Sequence, residues 1–399
     1  MKSSTFTGES PAPIYRNLQN SGQVATPALE TFSDGNSSLQ LNPTRYESQS
    51  QTEETTGHPF RYRYGQSEEE RLRRELSALE IKPESDRQAK ILRLSRLGRL
   101  LIRQGRYKSA EEVIRRLVNI CQDIYGDNDI NTVEAIGDLG VVLCYQGFYS
   151  KSEKLHQRTL GSIKATLGWE HPDTLARVAN LAMTYWSQGR LKEAEVLEVQ
   201  VAESSKKVLG QEHPDTLIRV ASLASTYWSQ GRWKEAEDLG IQVVELSKKV
   251  LGQDHPDTLD RVANLSMTYR SQGRWKEAED LGIQVVESSK KVLGQEHPDT
   301  LARVATLAMT YRNQGRWKEA EELCIQVLKL SKKVLGQEHP ETLATVASLA
   351  STYWSQGRWK EAEELYIQVV ELSNKVLGQE HPDTLIRVAT LAKTYRSQG

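Results

Sequence analysis

A single interval governs this sequence. His171, His213, His255, His297, His339 and His381 stand 42 residues apart, each followed by Pro and then by Asp or Glu. The segments beginning at His213 and His255 differ at only seven of 42 positions. A period of this length marks a solenoid, in which a unit can bury its apolar face only against its neighbours. Two diverged copies come first: YGDNDINT at Tyr125 to Thr132 aligns with LGWEHPDT at Leu167 to Thr174, and QGRYKSAE from Gln104 aligns with QGFYSKSE from Gln146. The array therefore reads as units 87–128, 129–170, 171–212, 213–254, 255–296, 297–338 and 339–380, with a partial unit at 381–399.

Within a unit, counting the His as position 1, Leu175, Val178, Leu181 and Tyr185 share one helical stripe. Proline at position 2 suits a first helical turn, and the acid after it complements the positive helix start. SQGR at positions 17 to 20 interrupts the first helix. A second helix follows, with apolar positions 24, 27, 31 and 38 and a terminating Gly at position 40. The expected fold is all-α: a right-handed superhelical solenoid of antiparallel helix pairs.

Upstream, residues 1–65 are rich in Ser, Thr, Gln, Asn, Gly and Pro and lack periodic apolar residues, which predicts a disordered tail. Residues 66–86 read as a charged helical lead-in, with Leu72, Leu76 and Leu79 at helical spacing.

The order Leu, small residue, Tyr, Gly, then Ala in the second helix resembles the tetratricopeptide repeat, with Gly98 and Gly140 at the small-residue position. At 42 residues the unit is similar to the kinesin-light-chain variety. That resemblance implies a peptide-binding groove lined mainly by first helices, which in kinesin light chains takes segments bearing an aromatic residue flanked by acids. Two departures stand out. Residues 66–86 are too short for the heptad segment that pairs with a heavy chain, and no GxxxxGK[ST] loop is present. Arrays of this kind also occur as sensors behind nucleotide-dependent switch domains; in that reading the switch lies outside this chain.

Near-identical units permit an internal test. Positions fixed by packing should stay constant, while positions that meet something non-repetitive can drift. In the first helix the drifting positions are 6, 10, 13 and 16, which with position 17 lie largely opposite the core stripe. They give a candidate groove of Arg96, Arg99, Arg103, Asn180, Met183, Trp186, Ser222, Ser225, Trp228, Asp260, Asn264, Met267, Arg270, Thr306, Met309, Arg312, Asn313, Ser348, Ser351 and Trp354, with Glu134, Asp138 and Tyr145 from the second unit. Aromatic, Met, amide and Arg side chains make adaptable contacts and hot spots; neutral drift on a solvated face is the competing account. The expected partners are peptide segments of other proteins, acidic-aromatic ones included.

Other chemistries find less support. The formal net charge is -1, so no global field attracts nucleic acid or acidic lipid. Residues 61–116 hold 16 Lys and Arg against nine acids, but a charged helical face without an RNA-binding motif explains them. Cys121, Cys144 and Cys324 lack CxxC spacing and read as small buried residues, and no signal or membrane segment is seen, which suits the cytoplasm. The repeated histidines sit one helix-packing distance apart, about 8 to 10 Å, too far to share an ion. No cofactor motif or catalytic constellation appears, so the chain reads as no enzyme.

Four further expectations concern packing and the termini. Trp233, Trp275, Trp317 and Trp359 recur unchanged at position 21 and are expected to pack between helices; Arg177 follows Asp173 by four residues and is expected to pair with it. The last unit stops after its first helix, leaving Leu385, Val388, Leu391 and Tyr395 for a fragment boundary or for end-to-end self-association. In the tail, Phe32 between Glu30 and Asp34 is an acidic-aromatic segment able to fill the groove.

Overall fold

The computed structural model describes residues 61–80 and 87–398; the expected tail up to residue 60, its Phe32 segment, and residues 81–86 lie outside the described residues. There are sixteen helices and no strand among those described. They are α1 (Arg61–Glu80), then the pairs α2 (Arg87–Arg103) and α3 (Tyr107–Tyr125), α4 (Ile130–Tyr145) and α5 (Tyr149–Leu167), and α6 (Pro172–Ser187) and α7 (Leu191–Val208). The array continues with α8 (Pro214–Ser229) and α9 (Trp233–Val250), α10 (Pro256–Ser271) and α11 (Trp275–Val292), and α12 (Pro298–Asn313) and α13 (Trp317–Val334). It ends with α14 (Pro340–Ser355), α15 (Trp359–Val376) and the single helix α16 (Pro382–Gln398). No helix among the described residues is long and apolar enough to cross a membrane.

The recurrent histidine has a local task. Each imidazole Nδ1 accepts the N–H of the acid two residues on, at 3.2 Å for His171, His213, His255, His297 and His339. The side chain thus serves as an N-cap, satisfying one of the free donors that open a helix, while Pro occupies the first turn. Replacing His213 by Ala is expected to lower stability by about 1 kcal/mol, and Asn in its place to retain most of it. Urea midpoints of the two variants read this directly; equal midpoints for both would leave the cap without energetic weight.

Stacking rests on the leucine and valine stripe, with Leu175, Val178, Leu217 and Val220 all buried. The turn adds a polar bolt. Gln230 Nε2 and Arg232 Nη1 both donate to Glu195 of the preceding unit, at 2.8 and 2.6 Å, while the Arg232 guanidinium lies over the Tyr227 ring. Burial pushes the Glu195 carboxyl up, but the bonds from Gln230 and Arg232 outweigh it and hold it below the usual carboxylate range. The same trio returns as Gln272, Arg274 and Glu237, as Gln314, Arg316 and Glu279, and as Gln356, Arg358 and Glu321.

The same bolt bears on α1, read above as a charged lead-in. Arg106 Nη1 donates to Glu69 at 2.6 Å, as Arg232 does to Glu195, and Leu72 and Leu76 join the core of the first unit. Among the described residues, helix α1 therefore stands where a second helix stands in later units.

Two other expectations change. The tryptophans at position 21 begin the second helices with their rings partly exposed, 36% for Trp275 and 42% for Trp317, so they do not fill a space between helices. What is used there is their backbone: Gln272 Nε2 donates to the Trp233 carbonyl. The arginines at position 7 are buried, and Arg177 and Arg303 reach beyond their own helix. Arg177 presses on α4, where a Cβ at Gly137 would lie 2.3 Å from its guanidinium, and Arg303 reaches back to the preceding unit.

The solenoid also returns on itself. Gly105, in the turn of the first unit, lies against Pro340 of the seventh, and Gly147 of the second lies against Pro382 of the eighth. On α16, Leu385, Val388 and Tyr395 are exposed, Leu385 at 56%.

The candidate binding groove

First helices carry more buried residues than second helices, and between successive first helices a row of clefts opens, each floored by a second helix. A cavity of about 1000 Å³, counting the space open to solvent, lies between α6 and α8. Met183 and Trp186 line it from α6, Arg219, Ser222 and Ser225 from α8, and Glu198 and Val201 from α7 beneath. It runs on to Cys144, Tyr145, His381 and Asp383, where the two ends of the array meet. The next cleft, of about 470 Å³, repeats the plan one unit on: Ser225 and Trp228 from α8, Arg261, Asn264 and Met267 from α10, and Gly240 and Val243 from α9 beneath.

The internal drift test thus brings together Met183, Trp186, Ser222 and Ser225 in one cavity and Ser225, Trp228, Asn264 and Met267 in the next. Others sit deeper than expected. Asn180, Trp228, Met267, Arg270 and Thr306 are buried, and Arg270 Nη1 contacts the Thr306 carbonyl at 3.5 Å. The tryptophans also tie units together, with Trp186 Nε1 donating to Ser229 at 3.0 Å and Trp228 Nε1 to Ser271 at 2.8 Å. Asp260 is held by Arg303, while Met309, Arg312 and Ser348 are half-buried. Ser351 meets the Tyr366 hydroxyl at 2.7 Å. Arg96, Arg103, Asn313 and Trp354 are exposed, and Arg99 lies 3.8 Å from Asp138. Burial pushes Glu134 up, against the pull of Arg177.

Two sets of groove residues escaped the sequence reading. One is the buried arginine column at position 7, whose constancy reads as structural. The other is position 28 of the second helix, the cleft floor, which runs Ile114, His156, Glu198, Gly240, Gly282, Cys324 and Tyr366. It drifts more than any position singled out above, and the same test applied to second helices finds it. His156 fills its cleft so closely that a Cβ at Gly140 would lie 2.7 Å from the ring. Gly240 leaves its cleft open.

Charge in the cavity between α6 and α8 is sparse and poorly solvated. Burial pushes the Glu198 carboxyl up to about 7, and its Oε2 has no hydrogen-bond partner. Burial likewise lowers Arg219 to about 10, with Asp215 and Glu198 opposing the shift. Among the described residues, no three His, Cys, Asp or Glu side chains are grouped as metal ligands.

A kinesin-light-chain protein from Podosopora anserina with nearly identical repeats is similar, at 38% identity over 52% of this chain and 98% of its own, with a TM-score of 0.43. The apo quorum sensor NprR from B. thuringiensis shares the fold at 16% identity over 79% of this chain and 85% of its own, TM-score 0.58. The Rap protein complexed with competence and sporulation factor does so at 11% over 84% and 98%, TM-score 0.54. A search of curated proteins gives no match. Tetratricopeptide repeat profiles match residues 88–160, 215–291, 300–369 and 342–399, and a second one residues 174–215. With more than half of its length matched, and with the paired helices and small-residue contacts described above, the chain belongs to the tetratricopeptide repeat family.

Proposed function

We propose that this protein is a non-catalytic interaction scaffold that holds a peptide segment of a partner protein along the row of clefts. The observation that carries this reading is the cavity between α6 and α8, apolar along Met183, Trp186 and Val201, with the unpartnered Oε2 of Glu198 at its floor. Such pockets with few convergent polar groups are the usual form of a binding site. Glu198 and Arg219 together favour a neutral group that both donates and accepts, such as a peptide or side-chain amide. A lone cation is opposed by Arg219 and a lone anion by Glu198. The exposed Arg96 and Arg103 on α2 supply the acid-binding element of an acidic-aromatic segment. The same fold is complexed with competence and sporulation factor in the Rap protein, which agrees with this reading.

A displayed library of random peptides, selected against the whole chain, tests it. Ser222→Trp fills the cavity from a small, half-buried position, whereas Val196→Trp adds the same bulk at an exposed site of α7. Selected peptides are expected to bind Ser222→Trp at least about tenfold more weakly, the equivalent of about 1.4 kcal/mol, and to bind Val196→Trp unchanged. Peptides that ignore Ser222→Trp would place binding elsewhere on the molecule.

A further inference from the structure

Seven turns join the two helices of a unit, each with a glycine at positive φ, and two of them differ from the rest. A Cβ on Gly105 would fall 2.5 Å from Pro340 Cδ, and one on Gly147 would fall 2.8 Å from Pro382 Cδ. At Gly189, Gly231, Gly315 and Gly357 nothing lies within 4 Å, and at Gly273 only the Trp275 ring does, at 3.9 Å. The two close seats share one register: His339 faces the Arg103 carbonyl, and His381 Nε2 lies 3.1 Å from the equivalent carbonyl, that of Tyr145. His381 Nδ1 accepts the Asp383 N–H at 3.1 Å, so Nε2 carries the proton and donates to Tyr145. Beside these seats the Tyr107 and Tyr145 rings stack, their centroids 5.3 Å apart.

We propose that these seats form a clasp which shuts the superhelix, and that the groove cavity becomes accessible when the clasp opens. The inference rests on the groove reading above and concerns its regulation. Three observations join in it. The glycine seats lie at two turns, with the Tyr107 and Tyr145 rings beside them. The cavity wall is itself built from the clasp, through Tyr145, His381 and Asp383. The glycines it covers leave no room for a side chain, while the same turn elsewhere in the array stands open. A bound segment must then either fit beneath the shut clasp or wait for the open state, and its apparent affinity falls with the fraction of open molecules.

The test compares two double variants of the full chain. Gly105→Ala with Gly147→Ala places methyl groups against the prolines; Gly231→Ala with Gly357→Ala imposes similar backbone strain, at φ 76 for both, with nothing to strike. The first readout is the rate at which N-ethylmaleimide modifies Cys144, a thiol of the cavity wall, with Cys121 and Cys324 as references in the same molecule. The second is the radius of gyration from small-angle X-ray scattering. The clasp pair is expected to raise the Cys144 rate about tenfold over the control pair, if the shut form dominates by that factor, and to enlarge the radius. Equal Cys144 rates in the two pairs overturn the clasp, and so does a rise shared by all three thiols, which reports general loosening. Neither readout uses a ligand, so a result against the clasp leaves the groove reading to be judged by Ser222→Trp alone.

Discussion

Arg303→Ala is expected to lower the stability of the units around it by about 3 kcal/mol, visible as an early melting step in calorimetry. The side chain is 1% exposed and joins three helices: Nη1 donates to Ser289 Oγ of α11 at 2.7 Å, and Nη2 to Asp260 Oδ1 at 2.6 Å and the Pro256 carbonyl at 3.1 Å, both of α10. Burial already pushes the Asp260 carboxyl up to about 6; Arg303 opposes that shift, and the Asp299 and Asp257 charges add to it. Without the guanidinium, a carboxylate is left desolvated between like charges, which is far costlier than losing an exposed pair. Because Asp260 can then take up a proton, the deficit should shrink at pH 5 and grow at pH 8. Asp260→Asn introduced with Arg303→Ala should recover much of it. The seventh unit shows a natural solution, with Thr345 in place of the arginine and its hydroxyl turned to the Glu341 carbonyl. A single variant within about 0.5 kcal/mol of the parent would mean that the pair is not a structural tie.

The second large effect concerns pH. Burial, helped by the Asp299 charge, pushes Glu341 up to about 8 from 4.5. A carboxyl whose folded value is raised contributes stability that is fully present at acid pH and lost as pH rises through the folded value. Glu341 should therefore weaken the seventh unit between about pH 4.5 and 8, by on the order of 3 kcal/mol when the loss is complete. Two residues away, His339 has the opposite slope. Burial lowers it to about 4, against the raising effect of the Arg103 carbonyl, so its contribution is lost as pH falls from 6.5 towards 4. The turn is thus firmest where both groups are uncharged. Glu341→Gln is expected to melt higher than the parent at pH 9, to match it at pH 5, and to keep the acid-side decline. An equal displacement at both pH values would contradict the assignment. Glu198 and Asp260 share the alkaline slope, and comparing single variants separates them.

Much of the fold is legible in the sequence because it is written locally and repeatedly. Leu175, Val178 and Leu181 announce a helical face, Pro172 and Asp173 a helix start, and Gly189 a turn, without reference to any distant residue. The errors arise where the deciding partner is a neighbouring unit. Arg177 follows an acid by four residues, and that spacing says nothing of its approach to Gly137 in the space between stacked first helices. Trp233 repeats unchanged and so resembles a packing residue, while its exposed ring contributes little. In the candidate groove, Met183, Trp186 and Ser222 line one cavity, and their variation is visible along the first helix. Glu198 and Gly240 were missed because a floor residue belongs to the other helix and becomes part of the cleft only after stacking. The closure of the array was not legible at all. It depends on the angle between units, which no single residue encodes.

The bolt of Gln, Arg and Glu acquires a further meaning from that closure. From the third unit on it fixes the step from one unit to the next, Phe148 standing in place of the arginine in the second, and Pro340 meets Gly105 only after the steps have been taken through to the seventh. An error of a degree or so at one joint would pass unnoticed in an open spiral. In one that must meet its own beginning, errors of the same sign add together, as tolerances do in a chain of machined parts. The near-identity of the units, and the sameness of the bolt in particular, is then a condition on dimensional accuracy. A sequence change at Glu237 or Arg274, remote from the cavity, would be felt as a gap at Gly105 and Gly147.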